Sequence, residues 1–194
     1  MRLLLSVILA LAIGVSWVAG ALAGDLVAYG ADGWKYMQVS WADPLHGQFY
    51  LSEFDDSAWA VGRGGFGSGV GDFTCPIQAS TNTSWSVNTD MLLRRHFVAD
   101  PAKPVTVYVA IDNDVTVYVN GILIDEAATN ECAYADKYSV SVPQGLVVQG
   151  TNVLAVAAHD SGIEAYVDVR VEGSLPVATQ GVTWGSIKGL FDSR

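Results

Sequence analysis

The sequence predicts an all-β fold, a jelly-roll β-sandwich of about eight antiparallel strands, and three observations lead to it. Residues 104–124, PVTVYVAIDNDVTVYVNGILI, hold two β-branched runs of period two, Val105/Val107/Val109/Ile111 and Val115/Val117/Val119. That is the pattern of strands with one buried face. Turn residues punctuate the chain at short intervals, and no helix-length period occurs in the body after residue 24, which favours many short strands. The third observation is parity. A two-residue turn at Asn113-Asp114 sets the valines of one run against Thr116 and Tyr118 of the other and mixes the faces. A corner passing between two facing sheets, or a three-residue link, keeps both valine rows in one core, which favours a sandwich.

In chain order, Met1-Arg2 is followed by an apolar run over 3–18, broken by Gly14 and Ser16, and by small residues at Ala21 and Ala23. This describes a secretory signal peptide over 1–23, cleaved before Gly24. An uncleaved membrane anchor competes, because the run is near spanning length. The small-residue site favours cleavage, so the mature chain is expected to be secreted, extracellular or periplasmic, with no stable membrane insertion. Its 171 residues suffice for one domain, over 24–173. They carry 9 basic and 20 acidic side chains, a net charge of −11, with no basic cluster. Nucleic acid and anionic membrane surfaces are not the partners of such a surface. Cys75 and Cys132 are the only cysteines, and export places them where pairing is expected.

Strands are expected over 25–29 and 34–39, on either side of Gly30-Ala31-Asp32-Gly33. The glycine-rich stretch 40–89 is too long for a structureless loop in a compact domain. Short strands, a turn over 55–59 with acidic residues at its start, and Cys75 are expected to organise it. MLLRRHFV over 91–98 reads as a strand stopped by Asp100-Pro101, and the two valine runs follow. Further strands are expected over 138–142, 152–158 and 165–171, separated by Pro143-Gln144-Gly145, Gly150-Thr151-Asn152 and Asp160-Ser161-Gly162. A linker and short tail occupy 174–194. Trp184, Ile187 and Phe191 share helical spacing there, a candidate docking element or a turn that packs back on the sandwich. Gly185 and Gly189 weaken any free helix.

A sugar site needs an aromatic plate for the apolar face of a pyranose and a few polar groups for its hydroxyls. The candidates are Trp41, Phe66 and Trp85 with Arg63, Asn82, Asn88, Asp90 and Asp160, although for any one of these aromatics a cap on a sandwich end is the favoured reading. Asp112, Asn113 and Asp114 offer the oxygens that calcium takes, but a turn accounts for them. No cofactor or metal is expected from these residues themselves. His159-Asp160-Ser161 has the residue types of a nucleophilic triad, yet triads are assembled from separated positions. No nucleophile elbow, zinc helix, phosphate loop or dinucleotide fingerprint occurs. A small glycosidase with paired carboxylates is a third class of reading, disfavoured by the chain's size.

FDDSAW (54–59), VGRGGFGSG (61–69), LLRRHF (92–97), VAIDNDVTVYVNG (109–121) and GTNVLAVAAHDSG (150–162), in this order, resemble the galactose-binding-domain-like superfamily over roughly 34–171. The similarity is greatest to its stand-alone secreted bacterial members, which carry a comparable cysteine pair. The resemblance implies a jelly-roll sandwich that commonly serves as a carbohydrate-binding module or an accessory domain of glycoside hydrolases, with the ligand on end loops or a sheet face. In this reading Trp59 plugs one end of the sandwich, and the structural calcium that members often carry would draw on Asp43, Asp55, Asp56 and Asp160. The tail is also similar to Trp-Gly-x-x-Lys ends of secreted bacterial proteins, which implies a trafficking role. The expected function is an exported, non-catalytic binding module for carbohydrate or another cell-surface polymer. The alternative is a structural or adhesive subunit of the envelope or an extracellular assembly, docking through its tail.

Overall fold

The computed structural model describes residues 23–68, 75, 80–129, 131–162 and 164–177. Residues 1–22 of the expected signal peptide and the tail residues Trp184, Ile187 and Phe191 lie outside the described residues. Among those described are the strands β1 (Gly24–Val27), β2 (Asp32–Val39), β3 (Ala60–Arg63), β4 (Phe66–Gly67), β5 (Thr83–Ser84) and β6 (Asp90–Val98). They are followed by β7 (Thr106–Asp112), β8 (Asp114–Val119), β9 (Ile122–Ala127), β10 (Tyr138–Ser141), β11 (Thr151–His159) and β12 (Tyr166–Gly173). One sheet runs β10-β7-β12-β4-β5 with β1 also on β12; the other runs β3-β2-β6-β11-β8-β9. All pairings are antiparallel except β4 with β5.

The parity argument is met by the corner. β7 ends in one sheet at Asp112, β8 begins in the other at Asp114, and both valine rows enter one core with Val167, Val169, Val171, Leu154 and Val156. Side-chain alternation then leaves a second face on the β2-β6-β11-β8 sheet, lined by Val39, Leu92, Ala155 and Tyr118. The segment between β2 and β3 folds over that face. A short 3-10 turn, Pro44–Gly47, leads into Phe49, Tyr50, Phe54 and Trp59, which pack on it. Trp59 therefore covers the outer face of a sheet and does not plug an end of the sandwich. The expected turn over 55–59 is present: Ser57 N donates to Asp55 Oδ1 at 2.9 Å and Trp59 N to the Asp56 carbonyl at 3.0 Å.

This covering layer is held by one buried cation. Arg94, 1% exposed, donates Nε to Asp56 Oδ2 at 2.8 Å and Nη1 to the carbonyls of Leu51, at 3.0 Å, and Phe49. FDDSAW and LLRRHF are thus two halves of one contact. VNG and GTN interlock likewise. Asn120 Nδ2 donates to Asn152 Oδ1 and to the Leu146 carbonyl, each at 2.8 Å, and its Oδ1 accepts from Val153 N. Asn120 and Gly121 both have positive φ, 50° and 82°, as the two-residue β8-β9 hairpin requires. The Cys75–Cys132 disulfide is formed.

Four strands escape the sequence reading. β4 and β5 have two residues each, too short for a period to show. β3 and β9 are sheet edges, and the burial of β9 does not alternate because its register shifts opposite Val117/Tyr118.

Candidate functional site

At one end of the sandwich the strands β2, β6 and β11 place Val39, Asp90 and His159 in a row across the sheet. The chain leaving β2 crosses above this row, carrying Trp41 and His46. Asp90, 5% exposed, faces both imidazoles. Its Oδ1 is 2.5 Å from His159 Nδ1, and its Oδ2 is 2.8 Å from His46 Nε2. The second contact lies off the hydrogen-bonding direction of the ring nitrogen, so it is a close approach and not a hydrogen bond.

His159 in turn carries Trp41, whose indole stands at 69° to the imidazole with centroids 4.2 Å apart. Trp41 is 57% exposed, and large aromatics are seldom left so open. Beside it an open cleft of about 860 Å³ is lined by Gln38, Ser40, Asp43, Asn88 and Thr89. The cleft walls are fixed by internal bonds. Gln38 Oε1 accepts from Ser86 N at 2.9 Å, Asp43 Oδ1 accepts from Leu45 N at 2.9 Å, and Thr89 Oγ1 donates to the Ser86 carbonyl at 2.5 Å. Asn88 has φ 55°; its N–H meets Asp160 Oδ2 at 2.6 Å and its Nδ2 the Gly162 carbonyl at 3.2 Å.

Of the sequence candidates, Trp41 and Asn88 meet in this cleft. Asp160 lies directly behind it, fully buried, holding the Asn88 and Gly162 amides; burial raises its carboxyl above the usual range. It supports the loop and does not reach a ligand. Phe66 and Trp85 are corrected. Both are buried in the core, at 0% and 1% exposure. Phe66 packs on Tyr36, and the Trp85 indole N–H is taken by Thr89 Oγ1 at 3.1 Å, so neither offers a face to a ligand.

Arg63 pairs across from Asp32 at the far end of β2, roughly 20 Å along the strand from Trp41. There it borders a separate cleft of about 340 Å³ lined by Tyr29, Gly30, Asn82, Tyr166 and Asp168, donating Nε to the Gly30 carbonyl at 2.8 Å. Asp168 forms the cleft floor, accepting from Gly30 N and Val169 N at 2.8 Å. Burial pushes its carboxyl up to about 6. The glycine run follows from this contact: a Cβ on Gly64 would stand 2.4 Å from Asp168 Oδ1.

The acids proposed for calcium do not converge. Asp43 caps the 3-10 turn, Asp55 and Asp56 bond Ser57 and Arg94, and Asp160 holds the Asn88 loop. Among the described residues the close group of potential metal ligands is Cys75, Asp112 and Glu164, and the Cys75 sulfur is in the disulfide. Likewise His159, Asp160 and Ser161 form no triad. His159 meets Asp90, Asp160 meets backbone amides, and Ser161 N meets Asn113 Oδ1 at 3.0 Å. Asp90 and His46 were not legible as partners of His159. Asp90 sits 69 positions from His159, and only strand register joins them.

No protein-family model matches the sequence, and a search of curated proteins finds no match to it. Solved structures do resemble the fold. A β-glucuronidase of an uncultured Clostridium species is 12% identical, with a TM-score of 0.51, over 80% of this chain and 30% of its own. The β-glucuronidase of Ruminococcus gnavus, in complex with D-glucuronic acid, is 12% identical at a TM-score of 0.50, over 83% and 30%. That of Bifidobacterium dentium, complexed with coumarin-3-O-glucuronide, is 13% identical at 0.50, over 74% and 21%. The chain thus spans less than a third of each of these structures. At such identities the likeness concerns the fold alone.

Proposed function

We propose that this chain is an exported, non-catalytic binding module of the galactose-binding-domain-like type, which takes carbohydrate or a similar cell-surface polymer in the cleft beside Trp41. One observation carries the reading: a tryptophan 57% exposed, braced edge-on by His159 and bordered by Asn88, Thr89 and Asp43. A sugar ring offers C–H groups on its face and hydroxyls around its rim. A braced indole with amide, hydroxyl and carboxylate neighbours complements both. Bracing also reduces the rotamer freedom lost on binding, which favours affinity. The openness of the cleft suits the end or side of a polymer better than an engulfed small molecule. The fold's occurrence as a minor part of β-glucuronidase chains supports a carbohydrate setting and a non-catalytic role.

The test is a glycan array followed by calorimetry on the purified protein and on Trp41→Ala. Loss of the stacked face should weaken binding about tenfold or more, near 1.4 kcal/mol, with little change in unfolding midpoint because the side chain is exposed. Binding unchanged by the substitution, or no glycan bound by the parent protein, overturns the reading.

A further inference from the structure

The cleft floored by Asp168 lies on the outer face of the β10-β7-β12-β4 sheet. Val167, Val169 and Val171 of β12 enter the core, so strand alternation turns Tyr166 and Asp168 the other way. These two side chains are 1% and 5% exposed, and both line the cleft with Tyr29, Ser80 and Asn82. The backbone is shaped to admit them. Gly30 and Gly65 have positive φ, 67° and 84°, and a Cβ on Gly65 would stand 2.4 Å from the Ser80 carbonyl oxygen and 3.4 Å from the Tyr166 hydroxyl. The opposite wall is fixed as well. The Tyr29 hydroxyl donates to Asp136 Oδ1 and accepts from Asp136 N, each at 3.0 Å, and Cys132 ties the same loop to Cys75.

One buried group in this preformed cleft is left over. Among the described residues the Tyr166 hydroxyl makes no hydrogen bond; burial and the neighbouring Asp168 hold its phenol well above the usual range. It is therefore a neutral hydroxyl that can both donate and accept. A buried hydroxyl without a partner is costly, and here the cleft is where a partner can arrive. The Asp168 oxygens take the amides of Gly30 and Val169 and keep further lone pairs. Asn82 Nδ2 is spent on the Gly64 carbonyl at 2.6 Å, which leaves the amide oxygen to accept. Arg63 already stands on the Gly30 carbonyl and Arg170 over the Tyr29 ring at 5.9 Å, so a cationic ligand is disfavoured. An uncharged ligand rich in hydroxyl donors fits, and a volume of about 340 Å³, at the small end for ligand sites, suits one ring. We propose that this cleft is a second carbohydrate site, which takes a single terminal sugar ring whose hydroxyls bond Asp168, Tyr166 and Asn82. It shares no residue with the Trp41 cleft and does not rest on that reading.

Amide chemical shifts of the isotope-labelled full chain, titrated with the methyl glycosides of glucose, galactose and mannose, test this at Gly30, Gly64, Gly65 and Val169. At least one glycoside should move these amides, with a dissociation constant of about 1 mM. Tyr166→Phe removes no hydrogen bond between described residues; it should leave the unfolding midpoint in place and weaken that binding about fivefold. Ala135→Phe, at an exposed position of the cleft lining, should abolish it. Trp41→Ala should leave it unchanged, so the two sites fail independently. Binding equal in the Tyr166→Phe variant overturns the proposal. So does the absence of shifts with all three glycosides, which would leave the hydroxyl to an ordered water only, or shifts produced by glucosamine alone, which would make the cleft a cation site.

Discussion

Replacing Arg94 by methionine keeps the apolar stem of the side chain and removes the guanidinium with its charge. In the native structure Arg94 is 1% exposed and its guanidinium serves four acceptors of the covering segment: the Asp56 carboxylate at 2.8 Å and the carbonyls of Leu51, Phe49 and Phe54. It also lies over the Phe54 ring at 5.4 Å. Methionine fills the space of the stem but donates to none of them. Asp56 is left as a largely buried carboxylate without its partner, and breaking such a pair costs about 3–5 kcal/mol. The unpaired carbonyls are part of that cost and not an addition to it. With a urea slope near 2 kcal/mol/M, the unfolding midpoint should fall by roughly 2 M. Asp56→Ala should cost a similar amount, since it strands the cation. The double variant should cost clearly less than the sum of the two singles, as residues in one network do. A single-variant cost below about 1 kcal/mol, or additive costs, would refute the reasoning that this pair fastens the segment bearing Trp41 and His46.

Reduction of the disulfide, or Cys75→Ser with Cys132→Ser, should lower stability by about 4 kcal/mol for the 57-residue separation, read as a matching fall in urea midpoint; no fall would show the cross-link idle. Gly64→Ala should cost about 1–3 kcal/mol by overpacking, because its Cβ meets Asp168 Oδ1 at 2.4 Å and the Gly30 backbone nitrogen at 3.1 Å. Burial raises the carboxyls of Asp112 and Asp168 from 3.8 to about 6. The folded state then holds more protons than the unfolded between about pH 4 and 6, so these groups make the protein more stable as pH falls through that window. From pH 7 to 5 each should add about 1 kcal/mol, and Asp112→Asn should remove about half of the gain. A urea midpoint that falls from pH 7 to 5 would contradict the assignment.

The fold class was legible because burial imposes its period on residues next to one another. Val105 to Ile111 and Val115 to Val119 announce two half-buried strands, and their parity even implies the change of sheet at Asp112–Asp114. Short elements such as Phe66–Gly67 and Thr83–Ser84 carry no period, and the register shift opposite Val117/Tyr118 breaks the alternation of the edge strand Ile122–Ala127. They surfaced only in the assembled sheets.

The candidate site was legible by half. Trp41 and Asn88 come from a region the sequence marks as loop, where aromatic and amide groups are notable by type alone. Composition could not separate Trp41 from Trp85 or Phe66, because all three are aromatics in the irregular stretch 40–89 and exposure is a property of the fold. Its brace was hidden for a different reason. Asp90, His159 and His46 meet through the register of β2, β6 and β11, a long-range relation that no local pattern encodes. The core and the sandwich follow from the order of residues alone, since they depend on which residues avoid water. Which aromatic stays in water, and which buried carboxylate holds it there, was decided only when strands distant in the chain were laid side by side.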